Sequence, residues 1–168
     1  MIRIFSVWLA NTFLAFVHLH QYRIDLTMRA AAVACGAFHS AIILENGVTL
    51  VFGLNRCGQL GINNTKDKLV PVEVPIFSQN NIRMKRVACG KSHTLWIDTK
   101  NNVWGAGRGI CTGLGSGDTN ELLAQRIPNF KAINIAAGEA HSMAIDDTKE
   151  GQLYTWGFGG FGALGKYN

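Results

Sequence analysis

The sequence predicts an all-β array of repeated units, and three observations predict it. A glycine-punctuated motif occurs three times; the stretches between copies are short, rich in β-formers and bounded by turn residues; and no stretch keeps a capped 3.6-residue apolar period. The first motif is Val33-Ala34-Cys35-Gly36 with His39-Ser40. It returns as Val87-Ala88-Cys89-Gly90 with His93-Thr94, and again as Ile135-Ala136-Ala137-Gly138 with His141-Ser142. The steps from Val33 to Val87 and from Val87 to Ile135 are 54 and 48 residues, inside the range that marks solenoids, propellers and arrays. A second motif follows each copy. Phe52-Gly53 leads to Gly58-Gln59-Leu60-Gly61, Ala106-Gly107 leads to Gly113-Leu114-Gly115, and Trp156-Gly157 leads to Ala163-Leu164-Gly165.

The elements follow in order. Residues 1–28 precede the repeats; after Arg3 comes a 14-residue mostly apolar run from Ile4 to Val17. That run is shorter than the roughly 20 residues a membrane helix needs. It suits a secretory or mitochondrial targeting segment over residues 1–20, or an atypical start. In the first unit (29–79), Val33 to Gly36 ends one apolar segment, Ser40 to Leu44 is a strand, Glu45-Asn46-Gly47 is a tight hairpin turn and Val48 to Phe52 is a further strand. The second unit (80–130) gives Thr94 to Ile97, a turn from Asp98 to Asn102, then Val103-Trp104. The third (131–168) gives Ser142 to Ile145, a longer turn from Asp146 to Gly151, then Gln152 to Trp156. Length variation confined to a hairpin tip fits a surface loop. Pro-bearing stretches, Val70 to Pro75 and Arg126-Ile127-Pro128, read as connections between units.

Composition narrows the class. Apolar residues make up 48% and charged residues 16%, which excludes a disordered chain. Glycine, at 19 residues, exceeds the roughly 7% of average usage, and the excess lies in the motifs. The net charge of +5 is dispersed; its one tight cluster, Arg83, Lys85 and Arg86, reads as a solvated strand, leaving nucleic acid or chromatin as a weakly supported partner. The four cysteines fall into two pairs of equivalents, Cys35 with Cys89 and Cys57 with Cys111, replaced in the third copy by Ala137 and Phe161. That substitution pattern suits buried thiols. No Cys-x-x-Cys occurs, which argues against zinc and a disulfide framework.

Together these motifs resemble the RCC1-like repeat (regulator of chromosome condensation), from about Arg29 onward. The resemblance implies a β-propeller of four-stranded antiparallel blades, each commonly assembled from two successive repeats. It implies an incomplete ring here, an open arc of about three blades, because the family closes seven. The middle copy departs from the pattern with Ala106 before Gly107 and Thr112 where the others have Gly58 and Gly162. An open arc would expose edge strands and an apolar flank, so the chain is expected to be a fragment, a truncated isoform or part of an assembly.

Residues that suggest chemistry are absorbed by the repeat. Gly157-x-Gly159-x-x-Gly162 matches a dinucleotide fingerprint but lacks the required helix and acidic residue. Gly113 to Asp118 lacks the Gly-Lys-Ser/Thr of a phosphate loop. His39, His93 and His141 hold the same place in three units, so they are expected to hydrogen-bond strand backbone and lock blades together rather than bind metal. Ser40 and Ser142 beside a histidine point to the opposite strand face. The expected structural positions are therefore Gly36, His39, Gly53, Gly61, Gly90, His93, Gly107, Gly115, Gly138, His141, Gly157 and Gly165, with no catalytic, cofactor or metal residue. The reading is a non-enzymatic protein–protein interaction module, cytoplasmic or nuclear. The resemblance implies, as an alternative, guanine-nucleotide exchange on a Ran-like small GTPase.

Overall fold

The computed structural model describes residues 24–26 and 28–166; the proposed targeting segment, 1–20, lies outside them. Among the described residues ten strands follow one another in two sheets, and within each sheet strands adjacent in sequence pair. The first sheet has the order β1 (Ala30–Cys35), β2 (His39–Leu44), β3 (Thr49–Gly53), β4 (Lys68–Glu73). The second runs through β5 (Met84–Cys89), β6 (His93–Asp98), β7 (Asn102–Gly107), β8 (Glu121–Ala137), β9 (His141–Asp146) and β10 (Leu153–Gly157). All pairs are antiparallel.

The second sheet is two blades joined by one long strand. Residues 121–131 of β8 pair with β7, and residues 132–137 pair with β9. At the junction Trp104 faces Arg126 while Asn102 faces Lys131, so an extra stretch on β8 bulges out and takes Pro128. Arg126-Ile127-Pro128 is thus strand, not connection. So is Val70-Pro71-Val72-Glu73, which lies in β4 at the outer edge of its sheet, where proline's missing N–H breaks no ladder. Only Val74-Pro75 leaves the strand, and Pro75 opens the five-residue helix α1 (Pro75–Gln79). A four-residue helix, α2 (Gly109–Thr112), and a 3-10 turn at Gly160–Gly162 are further departures from pure sheet. The first blade is built wholly from the first copy, not from two successive copies.

The blades pack face to face, and each seam is its own core. Between the first and second lie Ile43, Val51, Leu60, Phe77, Met84 and Trp96, all essentially buried. Phe77 meets Trp96 and Trp104 edge-to-face at 5.5 and 5.3 Å. The second seam holds Ile97, Val103, Ile127, Ala132 and Ala144, with Phe130 and Trp156 edge-to-face at 6.1 Å. Burial follows position in the stack. Every residue of β6, in the middle blade, is buried, whereas β9 alternates, with Ser142, Ala144 and Asp146 buried and His141, Met143 and Ile145 half-open.

The hairpin tips are tied by buried carboxylates. Asp98 accepts from the Lys100 and Asn102 amides, the Asn102 side chain and Trp104 Nε1 at 2.8–3.1 Å. Asp146 accepts from Thr148 Oγ1 and the Gln152 amide at 2.7 and 2.9 Å. These bonds give the buried carboxylate oxygens the partners that water would otherwise supply.

Candidate functional site: the imidazole seams

The recurring histidines begin β2, β6 and β9, three residues after Gly36, Gly90 and Gly138. Each ring lies flat against its glycine. A Cβ on Gly36, Gly90 or Gly138 would sit 2.4, 2.1 or 2.2 Å from the Cε1 of His39, His93 or His141, so no side chain fits beneath the ring. Directly across the ladder from each histidine, at the ends of β3, β7 and β10, Gly53, Gly107 and Gly157 take φ near +104° (103, 104 and 105°). There a Cβ would press on the carbonyls of Phe38, Ser92 and Ala140 at 2.3–2.7 Å. Gly61, Gly115 and Gly165 take φ of +67, +78 and +67° in the turns that close the second motif.

Each seam is crossed by one hydrogen-bonded relay. His39 Nε2 lies 2.8 Å from Thr94 Oγ1 in the next blade, and Thr94 Oγ1 donates to the Gln59 carbonyl at 2.6 Å. His93 Nε2 lies 2.9 Å from Ser142 Oγ, which donates to the Cys111 carbonyl at 2.8 Å. A hydroxyl has one proton, and here the carbonyl takes it. The imidazole must then donate from Nε2, leaving Nδ1 unprotonated. Nδ1 of both His39 and His93 is buried without a partner. The partner of the ring is thus a hydroxyl, rather than the strand backbone expected from sequence, because β6 and β9 bring the following blade's Thr94 and Ser142 to it.

Charge is excluded from these rings. Burial pushes the His39 pKa down to about 4, against an opposing pull from the His93 main chain. Burial does the same to His93, also to about 4, with His39 and His141 on either side adding repulsion. The three rings sense one another but do not converge, and among the described residues no three His, Cys, Asp or Glu side chains gather as a metal site.

The thiols follow the stack rather than the motif. Cys89 and Cys111, in the middle unit, are buried, while Cys35 is exposed and Cys57 half-buried; all four are free thiols. Cys89 Sγ reaches back to the Ala34 carbonyl at 3.7 Å and Cys111 Sγ forward to the Ala140 carbonyl at 3.3 Å. Burial pushes the Cys89 thiol up to about 12 and raises that of Cys111. The apolar-filling rule read from Ala137 and Phe161 fails at the outer blades. Phe161 is wholly exposed, because nothing packs against its turn. Thr112 is buried and closes α2 through Gly109, while Gly113, at φ +82°, takes the left-handed place that Gly58 and Gly162 fill elsewhere.

Sequence reasoning missed Thr94 and Ser142 as relay members, although a Ser or Thr after every motif histidine was the available signal. It also missed an open groove of about 640 Å³ across the inner ends of the three blades, lined by Phe38, Lys91 and Glu139 above the Gly36, Gly90 and Gly138 turns. Lys91 pairs with Glu139 at 2.6 Å on its rim.

Comparison with known proteins agrees with this geometry. The regulator of chromosome condensation (RCC1) repeat matches residues 46–97, and a second description of that repeat matches residues 30–59. The chain belongs to the RCC1-like repeat family. It is 34% identical to the ultraviolet-B receptor UVR8 of Arabidopsis thaliana over 82% of this chain and 31% of that protein. It is 32% identical to a Protein RCC2 homolog of Xenopus laevis over 79% of this chain and 30% of that protein. The solved structure of Prp20p from Saccharomyces cerevisiae superposes with a TM-score of 0.68 at 19% identity, over 83% of this chain and 34% of that one. The chain therefore spans about a third of the length of these relatives, as an open arc of RCC1-type β-propeller blades. No helix among the described residues is long and apolar enough to cross a membrane.

Proposed function

We propose that this RCC1-type arc is a non-enzymatic protein-binding module, cytoplasmic or nuclear, that engages its partner along the groove at the inner ends of the blades. The observation that carries this reading is where the chemically able groups go. His39 and His93 are spent on seams with their charge suppressed, and the Cys89 and Cys111 thiols are buried and protonated. What faces solvent is a wide groove with an aromatic, Phe38, that is 71% exposed, and an exposed ion pair. Loops on a rigid sheet scaffold are the usual place for recognition.

The test separates fold from binding. Phe38→Asp should leave melting unchanged and abolish capture of the partner isolated with the wild-type chain, whereas His93→Ala should lower melting first. Undiminished capture by Phe38→Asp would contradict the groove. Guanine-nucleotide exchange is the second reading, favoured by the likeness to Prp20p, which binds Gsp1p and histones. Accelerated release of labelled GDP from a panel of small GTPases would support it, and no acceleration leaves the binding module alone.

A further inference from the structure

The two ends of the arc carry opposite halves of the relay that closes each internal seam. His141 holds the ring pose of His39 and His93, with its Cε1 equally close to where a Cβ on Gly138 would lie. Yet among the described residues its ring nitrogens have no hydrogen-bond partner, and its strand face, with Met143 and Ile145, is half-open. At the other end Ser40 sits where Thr94 and Ser142 sit, opposite Cys35 as they are opposite Cys89 and Ala137. Among the described residues its hydroxyl reaches only the Cys35 sulfur, at 4.0 Å.

Apolar exposure at the ends falls on the positions that the internal seams cover. Val33 is 69% exposed, while its counterparts Val87 and Ile135 are half-buried. Phe161 is fully exposed, while its counterparts Cys57 and Cys111 are half-buried and buried. Among the described residues, the His141 end thus presents an imidazole with no Ser/Thr blade against it, and the Val33–Ser40 end presents a hydroxyl with no imidazole blade against it.

We propose that the arc associates head-to-tail with a second copy of itself, the His141 face of one docking on the Val33–Ser40 face of the next so that His141 donates to the neighbour's Ser40. Such a contact joins two different surfaces, so it propagates into a closed ring or an open filament rather than stopping at a two-fold dimer.

The test uses the full chain and two substitutions at exposed sites that leave the seams untouched. Val33→Arg blocks one end and Phe161→Arg the other. Sedimentation velocity of the unaltered chain should show species beyond a dimer as concentration rises from low micromolar to submillimolar. Each variant alone should stop at the monomer, because each lacks one of the two surfaces. Their equimolar mixture should give a dimer and nothing larger. Ser40→Ala and His141→Ala should each weaken association about tenfold. A chain that stays monomeric throughout overturns the proposal, as does a dimer that survives both arginine variants or variants that each dimerise alone.

Discussion

Replacing Thr94 by valine should unlock the first seam while changing almost no volume. The hydroxyl accepts from His39 Nε2 at 2.8 Å and donates to the Gln59 carbonyl at 2.6 Å. Thr94, His39 and Gln59 are at most 3% exposed, so water cannot replace either bond. Thr94→Val leaves one donor and one acceptor buried and unpaired, each costing roughly 1–3 kcal/mol, for a total of about 2–6 kcal/mol. In a chain of 168 residues, at about 2–4 °C per kcal/mol, that lowers Tm by roughly 4–24 °C. Urea unfolding followed by Trp fluorescence measures the loss, and a double-mutant cycle with His39→Ala isolates the pair. The coupling should be at least about 1 kcal/mol. Ser40→Ala at micromolar concentration is the matched control, since among the described residues that hydroxyl touches only Cys35 Sγ at 4.0 Å; it should cost no more than about 0.5 kcal/mol. If Thr94→Val were as mild as Ser40→Ala, the relay would not hold the seam.

Other predictions concern acid, glycines and thiols. Because the folded pKa values of His39 and His93 lie near 4 instead of the ordinary 6.5, the unfolded chain binds more protons between those values. Stability is therefore full above about pH 6.5 and falls towards pH 4, by roughly 3 kcal/mol per histidine. Urea midpoints measured across that window should slope upward with pH, and a flat profile would contradict it. Gly107→Ala, at φ +104° with a Cβ 2.3 Å from the Ser92 carbonyl, should cost far more in Tm than Gly115→Ala, whose added Cβ meets nothing within 4 Å. The latter should cost only the left-handed strain of about 1–2 kcal/mol. Equal losses would deny the close approach. A thiol reagent should label Cys35 first and Cys57 more slowly, with Cys89 and Cys111 reacting only on unfolding; early labelling of Cys89 would mean the first seam is open.

The repeat made the fold class legible, since motif spacing and the Asn46-Gly47 turn are local signals. What it hid depends on neighbours. Cys35 and Cys89 occupy equivalent places, yet one faces solvent and the other is sealed, because only the middle blade is covered on both sides. Proline misled the reading of Val70 to Pro75 and of residues 126–128. The residue forbids a central ladder position, but an edge strand and a bulge both accept it. The hydroxyl partner of each histidine was hidden too. Thr94 follows His93 in sequence but serves His39 from the previous unit, 55 residues away. Alternation along the strand correctly separated Thr94 from its neighbour, and only the packing of blades shows where it points.

The direct test of the seams is the protonation state of the rings themselves. Nitrogen NMR of the imidazoles should find His39 and His93 as neutral Nε2–H tautomers from neutral pH down to near 4, with exchange of the Nε2 proton slowed by burial. Rings that titrate near 6.5, or that carry the proton on Nδ1, would contradict the account that these imidazoles are shut inside the seams as donors to the next blade.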